Sequence, residues 1–148
     1  MSLGDISELP CRAPCSVYSV LYDNGLIDDP AVGLTAAKVA AYSEKPCCFT
    51  AEFDVPALAI SMKNLYIRFF GLDTLCRIEI NGTQIAKVDN MHRTYTYDIK
   101  TKVDIGKNTL KLYFDPPRRD NDLRKSYSSF GTEISPKLPD MGIFRKVE

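Results

Sequence analysis

Polar and apolar residues alternate in short runs along much of this 148-residue chain, the two-residue period of half-buried strands. Arg77, Ile78, Glu79 and Ile80 alternate, Asn81-Gly82 interrupts, and Thr83 to Val88 alternates again. Asn-Gly tolerates the positive φ angles of a type I′ turn, whose twist matches its flanking strands, so this stretch predicts a hairpin. Cys47 to Val55 is β-rich and stops at Pro56, and Asn64 to Phe70 is dense in aromatic and branched residues. Thr94 to Ile99 places Tyr95 and Tyr97 on one face. After a turn at Asp104 to Asn108, Thr109 to Phe114 turns Leu110, Leu112 and Phe114 inward. Ile143 to Val147 predicts a last strand.

The N-terminal third predicts irregular chain with short helices. Cys15 to Asp23 carries an apolar stripe of Val17, Val20 and Leu21 and stops at Asn24-Gly25. A second helix is expected from Thr35, as its cap, to Ala41. Many short strands, turns every eight to twelve positions and no helical crossovers predict an all-β fold. An antiparallel jelly-roll β-sandwich of about eight strands, with short peripheral helices, solves the exposed-edge problem for such a set. Between Pro116 and Gly142, 27 positions carry four prolines and neither period. Loops of that length are usually functional or disordered.

Length and composition fit one globular domain. Residues 1–8 are expected to be an appended start or flexible leader, since Met1-Ser2-Leu3-Gly4 lacks the parts of a signal peptide, and 9–148 the domain. Nineteen basic residues balance nineteen acidic ones, and no basic run is longer than Arg118-Arg119, so neither nucleic acid nor a membrane surface is expected as partner. No apolar run approaches the ~20 residues of a spanning helix. Cysteines 11, 15, 47, 48 and 76 make an odd count, so at least one thiol is free or pairs with another chain. They read as small buried hydrophobes in a reducing compartment, the cytoplasm.

Residues that carry chemistry are scattered. His92 is the sole histidine and stands in a polar loop with no nucleophile, orienter or oxyanion donor near it in sequence. Asp120 with Asp122, or Glu133 with Asp140, supply paired carboxylates, but a proline-rich loop is a poor support for glycoside hydrolysis. Cys11-x3-Cys15 with His92 is a weak zinc pattern, and no metal or cofactor is expected. Asn81-Gly82-Thr83 matches a glycosylation acceptor that its turn role already explains. Seven tyrosines at 18, 22, 66, 95, 97, 113 and 127 could stack on sugars, though strand positions favour packing.

Five segments in order resemble one family. They are Pro14 to Tyr18 with Gly25 to Pro30; Phe49 to Val55; Phe70-Gly71-Leu72-Asp73-Thr74 with Asn81-Gly82 and Asp89-Asn90-Met91; Gly106 to Leu110; and Gly142 to Val147. Together they are similar to the N-terminal sugar-binding, galactose-binding-like domain of family 2 glycoside hydrolases, the β-mannosidase branch. The resemblance covers residue 9 to the end. It implies a fragment whose catalytic carboxylates lie on an absent (β/α)₈ barrel, so the fragment itself is expected to be non-catalytic. The parent enzyme would hydrolyse O-glycosyl bonds, and carbohydrate is the expected partner, a β-glycoside shared with that C-terminal barrel. An autonomous carbohydrate-binding module or lectin is the alternative.

The resemblance also implies a loop lent to the barrel's active site. The family run "R…FGWDWGPRLP…G" corresponds to Arg124, then Phe130 to Pro139, then Gly142. Thr132 and Ile134 replace its tryptophans, while Glu133 keeps the acid and Lys137 the basic group. Glu133, Lys137 and Arg124 are therefore the expected substrate-binding residues. Without those tryptophans, another β-glycoside or a plant-polysaccharide fragment stands beside a mannoside as substrate.

Overall fold

A computed structural model of the chain describes residues 1–118, 123–126 and 138–148. Its main sheet has five antiparallel strands: β1 (Ser2–Leu3), β3 (Cys47–Val55), β8 (Gly106–Phe114), β5 (Cys76–Ile80) and β6 (Thr83–Val88), in that order. The period-two pattern is the cause of its one apolar face. β5 buries Cys76, Ile78 and Ile80 and leaves Arg77 and Glu79 half-buried, and β8 buries Asn108, Leu110, Leu112 and Phe114. Phe49 and Phe114 meet edge to face, their centroids 5.6 Å apart. Asn81 and Gly82 have φ of 50° and 76°, both positive as a type I′ turn requires, and join β5 to β6.

Across the core, β4 (Tyr66–Phe69) pairs with β7 (Tyr95–Asp98), and β2 (Cys15–Ser16) pairs with β9 (Gly142–Ile143), all antiparallel. The chain's last residues extend this layer beside β4. The Arg68 N–H donates to the Glu148 carbonyl at 2.6 Å, and the Glu148 N–H returns to Arg68 at 3.0 Å. Ile67 and Phe69 of β4 share one core with Phe49, Ile78, Leu112 and Phe114. Burying each such side chain contributes roughly 1.5–3 kcal/mol. The result is an all-β domain with short helices at its margin.

Those helices are α1 (Val17–Asp23), α2 (Thr35–Val39) with a 3₁₀ turn over Ala40–Glu44, and α3 (Ala57–Ser61). Ser16 and Ser19 cap α1 reciprocally, and Gly25 follows its end at φ 70°.

Three expectations are corrected, and one helix is added. Thr35 is not a cap; Leu34 holds that position without a side-chain bond, and Thr35 starts the helix. The last strand stops at Ile143, and Val147 returns only as an isolated bridge to Phe69. α3 was not expected at all. Residues 1–8 are no loose leader: Leu3 is fully buried and pairs with Cys47, and the Met1 ammonium donates to the Leu9 carbonyl at 2.5 Å. Apolar side chains at positions 1 and 3 fit the alternation of a short edge strand, which anchors the start.

Candidate functional site

The long segment from Pro116 to Gly142 follows β8 of the main sheet and leads to β9, which pairs with β2. One residue, Asp73, holds it at two places, at Lys125 within it and at its far end, Gly142. The turn Phe70–Thr74 follows β4 and is tightly packed. A Cβ on Gly71 would lie 2.5 Å from the Phe144 ring, and Leu72 and Thr74 are 0% and 1% exposed. Asp73 is held between them. Its backbone pairs with Gly142 through two hydrogen bonds of 2.8 Å, and its carboxylate takes the Lys125 ammonium at 2.6 and 2.5 Å. Lys125 donates its third bond to the Asp140 carbonyl at 2.7 Å. With the Lys125 side chain only 1% exposed, these three acceptors satisfy all its donors.

Beside this clamp runs a second strap. The Arg124 N–H donates to the Asp89 carbonyl at 3.2 Å, the Met91 N–H donates to the Arg124 carbonyl at 3.0 Å, and the Ser126 N–H approaches the Met91 sulfur at 3.2 Å. Asn90 shapes the turn that offers these groups. Its side-chain oxygen accepts from the His92 N–H at 2.9 Å, and its carbonyl accepts from the Tyr95 hydroxyl at 3.0 Å. Asp140 ties the far end to α1: its carboxylate accepts from the Met141 N–H at 2.8 Å, and the Val17 N–H donates to the Met141 carbonyl at 2.9 Å. Burial holds the Asp140 carboxyl above the usual carboxylate range, against hydrogen bonds from Ser16, Met141 and Tyr18.

Of the three residues expected to touch substrate, Arg124 lies on the strap with its side chain exposed. Glu133 and Lys137 lie outside the described residues, as do Asp120 and Asp122. His92 is exposed, and among the described residues no three His, Cys, Asp or Glu come together to hold a metal. Tyr95 and Tyr97 stack 6.5 Å apart and half-buried, packed against the core. The sequence reading missed Lys125, which nothing in its neighbourhood distinguishes from the other basic residues there. It recognised Asp73 only as part of a motif. An acid flanked by two buried residues, Leu72 and Thr74, needs a partner for its charge, and that need is the signal.

The Asp73–Lys125 pair is charge-matched and closed off. It carries no free acid or base, and what it does is position a segment. The family described as glycosyl hydrolase 2 galactose-binding domain-like matches residues 2–145. A mouse β-mannosidase is 29% identical over 95% of this chain and 19% of its own length, and a β-mannosidase B of Emericella nidulans is 31% identical over 77% and 14%. The matched stretch with the mouse protein runs over 168 positions, longer than this whole chain of 148. In structure, a β-D-mannosidase from Dictyoglomus thermophilum superposes with a TM-score of 0.87 at 27% identity, covering 93% of this chain and 19% of that one. An exo-chitosanase of Amycolatopsis orientalis has the same fold, at a TM-score of 0.78 and 23% identity, covering 99% of this chain and 17% of that one. The chain thus spans about a fifth of the length of the mouse relative it matches. It belongs to the glycosyl hydrolase 2 galactose-binding domain-like family.

Proposed function

We propose that this chain is the non-catalytic, sugar-binding accessory domain of a family 2 β-glycosidase. It lends the Pro116–Gly142 segment to the active site of a (β/α)₈ barrel in the same polypeptide, and the β-glycoside substrate is shared between the two. The observation that carries this reading is the anchoring of that segment on Asp73 at two places, Lys125 and Gly142. A buried ion pair that stabilised only the sheet would have no reason to join Lys125 to a turn outside it. Here it sets the base of a segment whose interior supplies Glu133 and Lys137, with Arg124 presented at its edge. The likeness to β-mannosidases in sequence and fold supports the substrate class. The layered strands we read as a jelly-roll sandwich of the galactose-binding kind.

An accessory domain holds only part of a sugar site. Calorimetry of the chain alone against a panel of β-glycosides is expected to give no dissociation constant below about 1 mM, equivalent to about −4 kcal/mol. It should not hydrolyse aryl β-glycosides, because retaining chemistry needs two carboxyl groups ~5–5.5 Å apart on a rigid support. Micromolar binding would instead assign the chain as an autonomous carbohydrate-binding module.

We place the protein in the reducing cytoplasm. Cys47 and Cys76 are each 3% exposed, and burial pushes both thiols far above their ordinary range, while Cys11 is exposed. Acid-quenched protein from cells is expected to titrate five thiols after unfolding, and in the native state Cys11 should react ahead of Cys47 and Cys76. A disulfide found after quenching would contradict that placement.

A further inference from the structure

The apolar core is open on one side. A cavity of about 430 Å³ separates the inner face of β3 and β8 from the layer of β4, and Phe53, Leu110, Leu65, Ile67 and Val147 are among the residues that line it. Ala51 and Phe53 occupy the inward phase of β3 that Phe49 and Val55 also occupy. Yet Ala51 is exposed and Phe53 half-buried, whereas Phe49 and Val55 are each 4% exposed. At the rim, α3 buries none of its residues although four of its five are apolar; Leu58 is 71% exposed and Met62, just past its end, 54%. Apolar surface gathered this way is a docking site for something.

The backbone says what covers it. Residues 146–148 already run antiparallel to β4, with Val147 opposite Phe69 and Glu148 doubly hydrogen-bonded to Arg68. On the same side, no backbone partner pairs with Ile67, Tyr66 or Leu65 among the described residues. The phase is fixed as well. Val147 turns in with Phe69, while Glu148 turns out and meets the Arg68 side chain at 3.7 Å. We propose that the cavity is the seat of a strand supplied by polypeptide beyond Glu148, pairing with Ile67 to Leu65 and turning every second side chain into the core. The mouse relative is about five times as long as the stretch it shares with this chain, so it has chain outside that stretch for such a strand. Its first and third residues lie opposite Ile67 and Leu65 and face Ala51, Phe53 and Leu110, so they are apolar; its second lies beside the outward Tyr66.

Two isomeric six-residue extensions of the chain test this. One places Val, Leu and Ile at its first, third and fifth positions with threonine between; the other shifts the same residues by one. The in-phase extension is expected to raise Tm by roughly 4 °C or more over the shifted one, and to expel an apolar fluorescent dye from the cavity. The shifted extension should behave as the unextended chain does. Equal Tm values for the two would overturn the proposal. Dye affinity unchanged by the in-phase extension would assign the cavity to a small apolar ligand, and a dimer that persists through that extension would assign it to a second copy; either result overturns the strand.

Discussion

Replacing Asp73 with alanine is expected to cost about 3–5 kcal/mol of stability, the usual result of removing one partner from a buried ion pair. The Lys125 ammonium would keep its bond to the Asp140 carbonyl but lose both carboxylate contacts, in a place where its side chain is 1% exposed. An uncompensated charge there either draws in water or swings out, and either path releases the segment from its base. Asp73→Asn should be nearly as costly, because the amide keeps the shape and loses the charge. The double replacement Asp73→Leu with Lys125→Met should recover a large part of the loss, since an apolar pair leaves no charge behind. Urea unfolding of the three variants checks the ordering. A cost under about 1 kcal/mol for Asp73→Ala would mean that the pair is solvated and does not hold the segment.

Gly142→Ala is expected to be comparably damaging for a reason that involves no charge. Gly142 sits at φ 153°, and a Cβ built there would come within 2.5 Å of the Cys15 carbonyl oxygen and 2.7 Å of the Ser16 Cα. Both are backbone atoms of β2, which cannot rotate aside as a long side chain can. Strain at the φ angle and displacement of β2 together should cost about 3 kcal/mol or more, a drop in Tm of roughly 6–12 °C for a domain of this size. Gly25→Ala isolates the first contribution, because Gly25 has φ 70° but nothing within 4 Å of its Cβ position; its cost should stay near 1–2 kcal/mol. Equal costs for the two would show that β2 and β9 are not in close contact at Gly142.

The strands were legible because they alternate. Asn81-Gly82 declared its hairpin, and the inward positions Leu110, Leu112 and Phe114 are buried as their spacing requires. Helix α1 was legible from its stripe, since Val17, Val20 and Leu21 lie on one face. What failed was local structure whose cause is distant in sequence. α3 follows Pro56 and spans five residues, too few for any period to register. The anchoring of Met1 and Leu3 depends on an edge of β3, some 45 positions away, that accepts them. β8 begins at Gly106, three positions ahead of the expected Thr109, because Asn108 is buried. Its side chain bonds the Asp104 N–H, the Asp104 and Gly106 carbonyls, and Asn81, and this lets a polar residue occupy a core position. The clamp was hidden for the same reason: Asp73 and Lys125 lie 52 positions apart. Length and missing period marked the Pro116–Gly142 segment as functional or disordered, the resemblance suggested which use, and the fold adds how it is held.

The proposed function stands most directly on Glu133 as the group that the Pro116–Gly142 segment would offer to the sugar. A carboxylate hydrogen bond to a neutral hydroxyl is worth roughly 1.5–3 kcal/mol. On the proposed function, Glu133→Gln in a polypeptide that joins this domain to the barrel should therefore lower kcat/KM by roughly ten- to a hundredfold, with the unfolding midpoint unchanged. Wild-type kcat/KM in that variant would contradict the account and leave the clamped segment without a part in catalysis.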